Sequence, residues 1–337
     1  MSFGFDGSSF AEDISQIYFF EFILFLISQY LCYIMTNFIL IFVFLVLGIV
    51  FQNIKGFPVT IYKLLNKIVI YICLPSVALY YIPKIKWSNE LLFPIGVAWI
   101  GFIVSYLFFS FLGAKFGWSK KLTGCLILTA GLGNTSFLGF PIIEALYGEE
   151  GLKTAILVDQ PGSFVVLSTL GILVATLYSS GNPNGFQIAK KILLFPPFIT
   201  FLIACLMNVL NVDFHEYVQL LLQKLGSGVT PLALLSVGLQ LRFDRKSQHW
   251  RFLGLGLLYK LILTPALIYV LYVVILQQHS KIIQVAIMES AMAPMITACI
   301  LASTHGLKPR LSSMMIGFGI PLSFITLLFW YFVVQFI

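Results

Sequence analysis

Long apolar runs alternate with short polar connections along the whole chain. Ten runs fall at approximately 36–51, 68–82, 91–112, 122–147, 152–178, 192–210, 217–241, 252–276, 282–304 and 311–336, the first two of them short. Each predicts a membrane-crossing helix, for which about 20 apolar residues suffice. The fourth run is interrupted. Residues 133–141 (Gly133, Asn134, Thr135, Ser136, Phe137, Leu138, Gly139, Phe140, Pro141) set two glycines, a proline and three hydrogen-bonding side chains where a continuous helix would run. In hydrocarbon every backbone N–H and C=O needs a partner, so non-helical chain at this depth persists only when buried in protein or lining a wet cavity. The pattern predicts a broken helix of the kind that builds substrate sites in secondary transporters.

Composition agrees with an all-α integral membrane protein. Hydrophobic residues make up 59% and charged residues 10%, with a mean hydropathy of +0.98, against roughly half and roughly 25% in soluble domains. The formal charge of +7 invites a nucleic-acid reading, which the placement of the charges opposes. Fourteen Lys and Arg fall in connections after odd-numbered runs, such as Lys115, Lys120, Lys121, Arg251, Lys308 and Arg310, whereas the other side carries Lys84, Lys86, Lys153 and Lys281. The positive-inside rule makes the fourteen-residue side cytoplasmic and puts both termini outside. A plasma membrane, the inner one in a bacterium, is the expected location.

Residues 1–35 form an N-terminal extension that is apolar from 17 to 35 yet acidic, with Asp6, Glu12, Asp13 and Glu21 and no basic residue before Lys55. A secretory signal would have a basic n-region. The segment reads as an interfacial extension of the first helix, or as untranslated if synthesis starts at Met35. Cys32, Cys73, Cys125, Cys205 and Cys299 have no paired or metal-type spacing and read as small core hydrophobes. His215, His249, His279 and His305 lack ligand spacing as well. No metal, cofactor or catalytic triad is expected, and the chain does not read as an enzyme.

Landmarks repeat between the halves. Lys67 and Pro75 match Lys224 and Pro231, Pro141 matches Pro294, and Gly151-Leu152-Lys153 matches Gly306-Leu307-Lys308, all at offsets of 153 to 157. An odd number of spans per half requires inverted topology, a common plan for alternating-access carriers. The division expected is a first five-helix repeat at 36–178, a cytoplasmic linker at 179–191 and a second, inverted repeat at 192–337.

From residue 36 onward the chain resembles the auxin efflux carrier family of bacterial permeases and plant PIN-type carriers. The resemblance rests on Asn134 to Pro141 followed by Gly148, on Ser290-Ala291-Met292-Ala293-Pro294, on Leu47-Gly48, and on Asn66-Lys67 leading to Leu74-Pro75. It implies ten helices, the fourth and ninth broken and crossing near the midplane, with helices 1, 2, 6 and 7 as scaffold and the rest as the moving part. Family substrates are mostly organic anions, auxin in plants and dicarboxylates such as malate in bacteria. Lacking a long central loop, this chain looks like the compact bacterial type.

At such a crossing, Asn134, Thr135, Ser136, Gly139, Pro141, Met292 and Pro294 are the expected substrate-binding residues. A half-helix restarting after each proline would aim a positive N-terminus at an anion. The bland alternative is that both prolines merely kink packed helices. Asp159, Glu289 and Lys260 are intramembrane charges, each costing at least about 2.5 kcal/mol at the bilayer centre, and are expected to couple an ion or to form an ion pair. Glu144 reads as reaching the interface and Lys224 as snorkelling.

The function expected is a secondary active transporter for a small organic anion. A proton- or sodium-coupled antiporter and a channel-like or sensory protein on the same fold stand as alternatives. Expected partners are the anion, the lipid bilayer, a coupling proton or sodium ion and, left open, a second copy of the chain in a homodimer. No nucleic acid is expected.

Overall fold

The computed structural model describes residues 39–52, 54, 58–86, 88–179, 196–241 and 249–337. The extension at 1–35 and, beyond Ser179, the linker expected at 179–191 lie outside these residues, as do Lys55, Arg242, Arg245 and Lys246. Among the described residues all regular structure is helical: α1 (Ile39–Gln52), α2 (Tyr62–Lys84), α3 (Asn89–Lys115), α4 (Lys120–Gly131), α5 (Thr135–Tyr178), α6 (Pro196–Val209), α7 (Glu216–Gln240), α8 (Trp250–Ile275), α9 (Lys281–Ser290), α10 (Ile296–Thr304) and α11 (Pro309–Val334). Six of them, α2, α3, α5, α7, α8 and α11, are long and apolar enough to cross a membrane, and α1 and α6 are shorter apolar helices. The long run α5 is divided at Gly148, whose φ of 64° and ψ of −159° only glycine adopts without strain.

Proline shapes the interior of these helices. Its ring clashes with the carbonyl four residues back and its nitrogen donates nothing, and the chain answers by widening to π-helical turns. Val69–Cys73 precedes Pro75, Thr135–Gly139 precedes Pro141, Val158–Phe164 contains Pro161, and Tyr259–Leu263 precedes Pro265. Side chains bond carbonyls along these turns, among them that of Leu261, four residues before Pro265. The Trp330 indole donates to the Leu261 carbonyl at 3.0 Å, the Thr264 hydroxyl to Tyr259 at 3.0 Å and the Trp99 indole to Pro161 at 3.1 Å. This is the satisfaction that a proline inside a membrane helix requires.

Helices α1 and α7 meet backbone to backbone. A Cβ on Gly48 would lie 2.7 Å from the Gly238 Cα, so small residues set the approach, as at many membrane helix interfaces. The Gln52 amide fastens the joint by donating to the carbonyls of Gly238 (2.6 Å) and Leu241 (3.0 Å). Ser236 of α7 donates to Asn66 of α2 at 2.5 Å, and the Asn208 amide of α6 lies within 2.9 Å of the carbonyls of Ile82, Pro83 and Ile85.

The polar ends sort into two groups at opposite ends of α3. Near its start, Leu91 shares a cavity with Lys84, Gly148, Lys153, Lys281 and Gln335. Near its finish, Gly113 shares a hollow with Trp118, Lys120 and Tyr178; there Trp118 packs edge-on against Phe252 at 5.2 Å, and the Cys125 thiol reaches the Lys308 carbonyl at 4.0 Å. Lys84, Lys86, Lys153 and Lys281, the sparse set of the sequence, thus share one end.

Candidate functional site at the paired helix breaks

Two interruptions meet inside the protein. After α4 the chain is extended at Leu132 (φ −121°, ψ 135°), and before α10 it is extended at Met295 (φ −65°, ψ 123°). Gly133 and Pro294 face each other in an isolated antiparallel bridge. Asn134 N–H donates to the Ala293 carbonyl at 2.8 Å, and Met295 N–H donates to the Leu132 carbonyl at 3.0 Å. Backbone that hydrocarbon would leave unsatisfied is therefore paired, break against break. Pro294 has no N–H to give, and none is asked of it here.

The segment after the first break holds the polar side chains. Asn134, Thr135 and Ser136 are 2%, 2% and 7% exposed. Thr135 donates to Asp159 Oδ1 at 2.6 Å, Gln160 Nε2 donates to Asp159 Oδ2 at 2.9 Å, and the Ser136 hydroxyl faces the same carboxyl. The wide turn then closes with Gly139 N–H on the Asn134 carbonyl at 3.0 Å. At its far end Gly139 abuts Glu289, since a Cβ there would stand 2.6 Å from Oε1 and 2.9 Å from the carboxyl carbon. One turn of chain, Thr135–Gly139, thus carries Asp159 at its head and Glu289 at its tail.

Lys260 completes the cluster from α8, in the π-helical turn before Pro265. It is 2% exposed, and its ammonium donates to the Ser290 carbonyl at 2.6 Å and packs beside Gly133. No carboxylate stands within ion-pair distance of it among the described residues, and Glu289, one residue before this carbonyl, is the acid whose charge acts on it. Lys153–Glu150, at the surface, is the ion pair formed among the described residues. Several buried groups in the cluster hold no partner: Asn134 Nδ2, Gln160 Oε1 and both carboxyl oxygens of Glu289, a residue with no solvent exposure.

Pro141 does not start the half-helix. Helix resumes at Thr135, because the wide turn absorbs the proline, so the free N–H groups of the first turn belong to residues just after Asn134 rather than after Pro141. In the second break Pro294 lies in the extended chain, and α10 begins two residues later. Met292 is fully buried in the turn leaving α9, with its N–H on the Glu289 carbonyl at 3.2 Å. Glu144 accepts a 3.2 Å bond from Thr230 of α7, away from the cluster. Gly133 and Gln160 are members of the site that the residue types alone did not single out; their signals were position, Gly133 opening the interruption and Gln160 adjoining Asp159.

Comparison with known proteins gives the same setting. An uncharacterized transporter of Methanocaldococcus jannaschii is 28% identical over 277 residues, covering 80% of this chain and 88% of the relative. A second uncharacterized transporter, from Methanothermobacter thermautotrophicus, is 29% identical over 276 residues, covering 79% and 87%. The profile of the family described as membrane transport protein matches residues 33–331. The chain therefore belongs to that family, the auxin efflux carrier family, and is a multi-pass membrane transport protein.

Proposed function

We propose that the protein is a secondary carrier that moves a small organic anion, a mono- or dicarboxylate of malate- or auxin-like character, by alternating access. The observation that carries this reading is the antiparallel pairing of the two breaks around an Asn134 Nδ2 donor with no partner of its own. A buried donor left unpaired costs about 1–3 kcal/mol, a cost that a ligand carboxylate accepting from Asn134 and from the first turn of α5 would offset.

Five spans in each half, related as inverted repeats, fit the same geometry. Lys120 and Lys281 begin the two broken segments, 161 residues apart, and Gly133 and Pro294 mark their breaks at the same offset. Gly148 (φ 64°) and Gly306 (φ 69°) end them. The first segment ends where the second begins, since Gly148 and Lys281 line one cavity. With the lysine-poor end taken as external, the linker at 179–191 is cytoplasmic and the C-terminus outside.

Glu289 favours coupling to a cation. Its carboxylate stands where an anion is to bind and has no donor of its own, so a proton or sodium ion taken up with the substrate would remove the repulsion. Asp159, already held by Thr135 and Gln160, is the second candidate for that ion.

Counterflow in proteoliposomes tests the carrier reading. External unlabelled substrate should accelerate release of labelled internal substrate for at least one member of a carboxylate panel. Flux that rises linearly with concentration and shows no exchange would make the protein a channel, and an absence of flux would leave it a receptor.

A further inference from the structure

The lysine-poor end of the molecule gathers its lysines in one place. A cavity of about 920 Å³ is lined by Lys84 at the end of α2, Lys86 just beyond it, Lys153 of α5 and Lys281 of α9. These four are all the basic residues that the connections on that side of the chain carry. Lys84 lies 3.5 Å over the Tyr80 ring, and Lys153 is held by Glu150 at 2.5 Å. Lys86 and Lys281 are exposed. Glu150 lines the cavity and offsets Lys153, Glu149 and Asp213 act on Lys84, and Glu90 adjoins Leu91 of the wall.

A second feature points the same way. The cavity takes in the first turn of α9, with Lys281, Ile282 and Gln284 on its wall; Ile283 and Gln284 N–H are spent on the Ser280 carbonyl, so the N–H groups of Lys281 and Ile282 and the positive dipole end of that helix add to the lysines. Ser280, at the cap position, makes no side-chain cap, and its hydroxyl oxygen is buried without a partner. Concave low-dielectric walls carrying one sign of charge focus the field and raise the local concentration of counter-ions. The cavity lies at the far end of the arm of α5 that begins at Thr135, since Ala145 and Gly148 stand on its wall. That arm spans about 20 Å at 1.5 Å per residue.

We propose that this cavity is an anion-collecting vestibule, which concentrates small carboxylate-bearing anions at the lysine-poor face and exchanges them with the site at the breaks. For the identity of the anion it rests on the carrier reading above. Its size exceeds that of a single small carboxylate, so it acts as a weak, salt-sensitive antechamber and leaves selectivity to the breaks. The lysine-poor side keeps lysines where they meet substrate.

The test needs no knowledge of the substrate. Gln284→Cys, in full-length protein whose native cysteines are replaced by serine, is reconstituted and treated with two methanethiosulfonates, one bearing a sulfonate and one a trimethylammonium group. At low salt the ratio of anionic to cationic reaction rates should exceed by about 10-fold the ratio in a Lys84→Gln/Lys86→Gln/Lys281→Gln background, and the difference should vanish at high salt. Lys→Arg at the same three positions should keep the high ratio, which separates charge from folding. Equal ratios with and without the lysines would overturn the vestibule, as would a Gln284→Cys thiol that reacts with neither reagent. Where counterflow identifies a carried anion, the triple Gln variant should raise KM about 10-fold from this face alone with kcat unchanged; an equal rise from both faces would overturn it too. A charge-selective thiol together with absent counterflow would keep the vestibule and remove the carrier reading.

Discussion

The two breaks solve one problem in different ways. At the first, proline stands seven residues beyond Asn134, inside the resumed helix, and a π-helical turn carries the strain. At the second, proline is itself the extended residue opposite Gly133, and α10 restarts without a wide turn. The first break consequently spreads its polar side chains over Asn134, Thr135 and Ser136, whereas the second contributes backbone, with the Ala293 and Ser290 carbonyls engaging Asn134 N–H and Lys260. The division suggests that the first break reads the ligand and the second supports it.

The largest effect is expected at the contact between the two. Gly139→Val places methyl groups where the Glu289 carboxyl lies, and overpacking of this kind costs about 1–3 kcal/mol. Transport should be abolished, with a lowered melting temperature in detergent that Glu289→Ala in the same protein partly restores. A Gly139→Val variant with normal transport would mean that the tail of the wide turn does not touch the site.

The acids at either end of that turn come next. Asp159→Asn should abolish dependence on the proton or sodium gradient while preserving exchange of substrate for substrate, and Glu289→Gln measured alongside decides which acid carries the ion. Gradient-driven accumulation at the normal level in both variants would reduce the pair to structural roles.

Asn134→Ala should weaken substrate affinity about 10- to 100-fold, the equivalent of a lost buried hydrogen bond of about 1–3 kcal/mol. Because Asn134 Nδ2 serves no group of the protein, removing it forfeits no hydrogen bond of that donor, and the melting temperature should fall far less than for Gly139→Val. Binding by isothermal titration and melting by scanning calorimetry, on the same preparation, separate the two quantities.

A smaller effect distinguishes the prolines. Pro294→Ala adds an N–H at a buried position whose bridge bonds are already carried by Asn134 and Met295, and it removes a ring packed against Gly319. Pro141→Ala adds an N–H inside a helix, where the Phe137 carbonyl lies within reach. Stability and transport should fall several-fold more for Pro294→Ala, and the reverse order in a melting experiment would erase the distinction between the breaks.

Much of this was legible in the sequence. The apolar runs foretold an all-helical chain with several helices long enough to cross a membrane, six of them among the described residues, because burial in lipid imposes length and composition, and the glycines, Asn134 and Pro141 foretold the break that opens at Leu132. Less legible was where the helix resumes, since a proline permits either a first turn or a widened interior, and here the wide turn Thr135–Gly139 precedes Pro141. Pro141 and Pro294, matched by their offset of 153, take different positions, the first inside the resumed helix and the second in extended chain opposite Gly133. Lys260 was expected to couple an ion or to form an ion pair; from its wide turn it donates to the Ser290 carbonyl, with Glu289 the neighbouring acid, a detail of backbone geometry that charge spacing does not encode.

Whether the paired breaks hold the substrate is tested most directly by protection of a single cysteine. Ser136→Cys, reconstituted in a background free of other cysteines, should react with an impermeant thiol reagent from whichever face is open. The carboxylate identified by counterflow should slow that reaction about 10-fold or more when present near saturation. A Ser136→Cys thiol that stays accessible from one face at an unchanged rate, with the transported anion saturating, would place the substrate elsewhere.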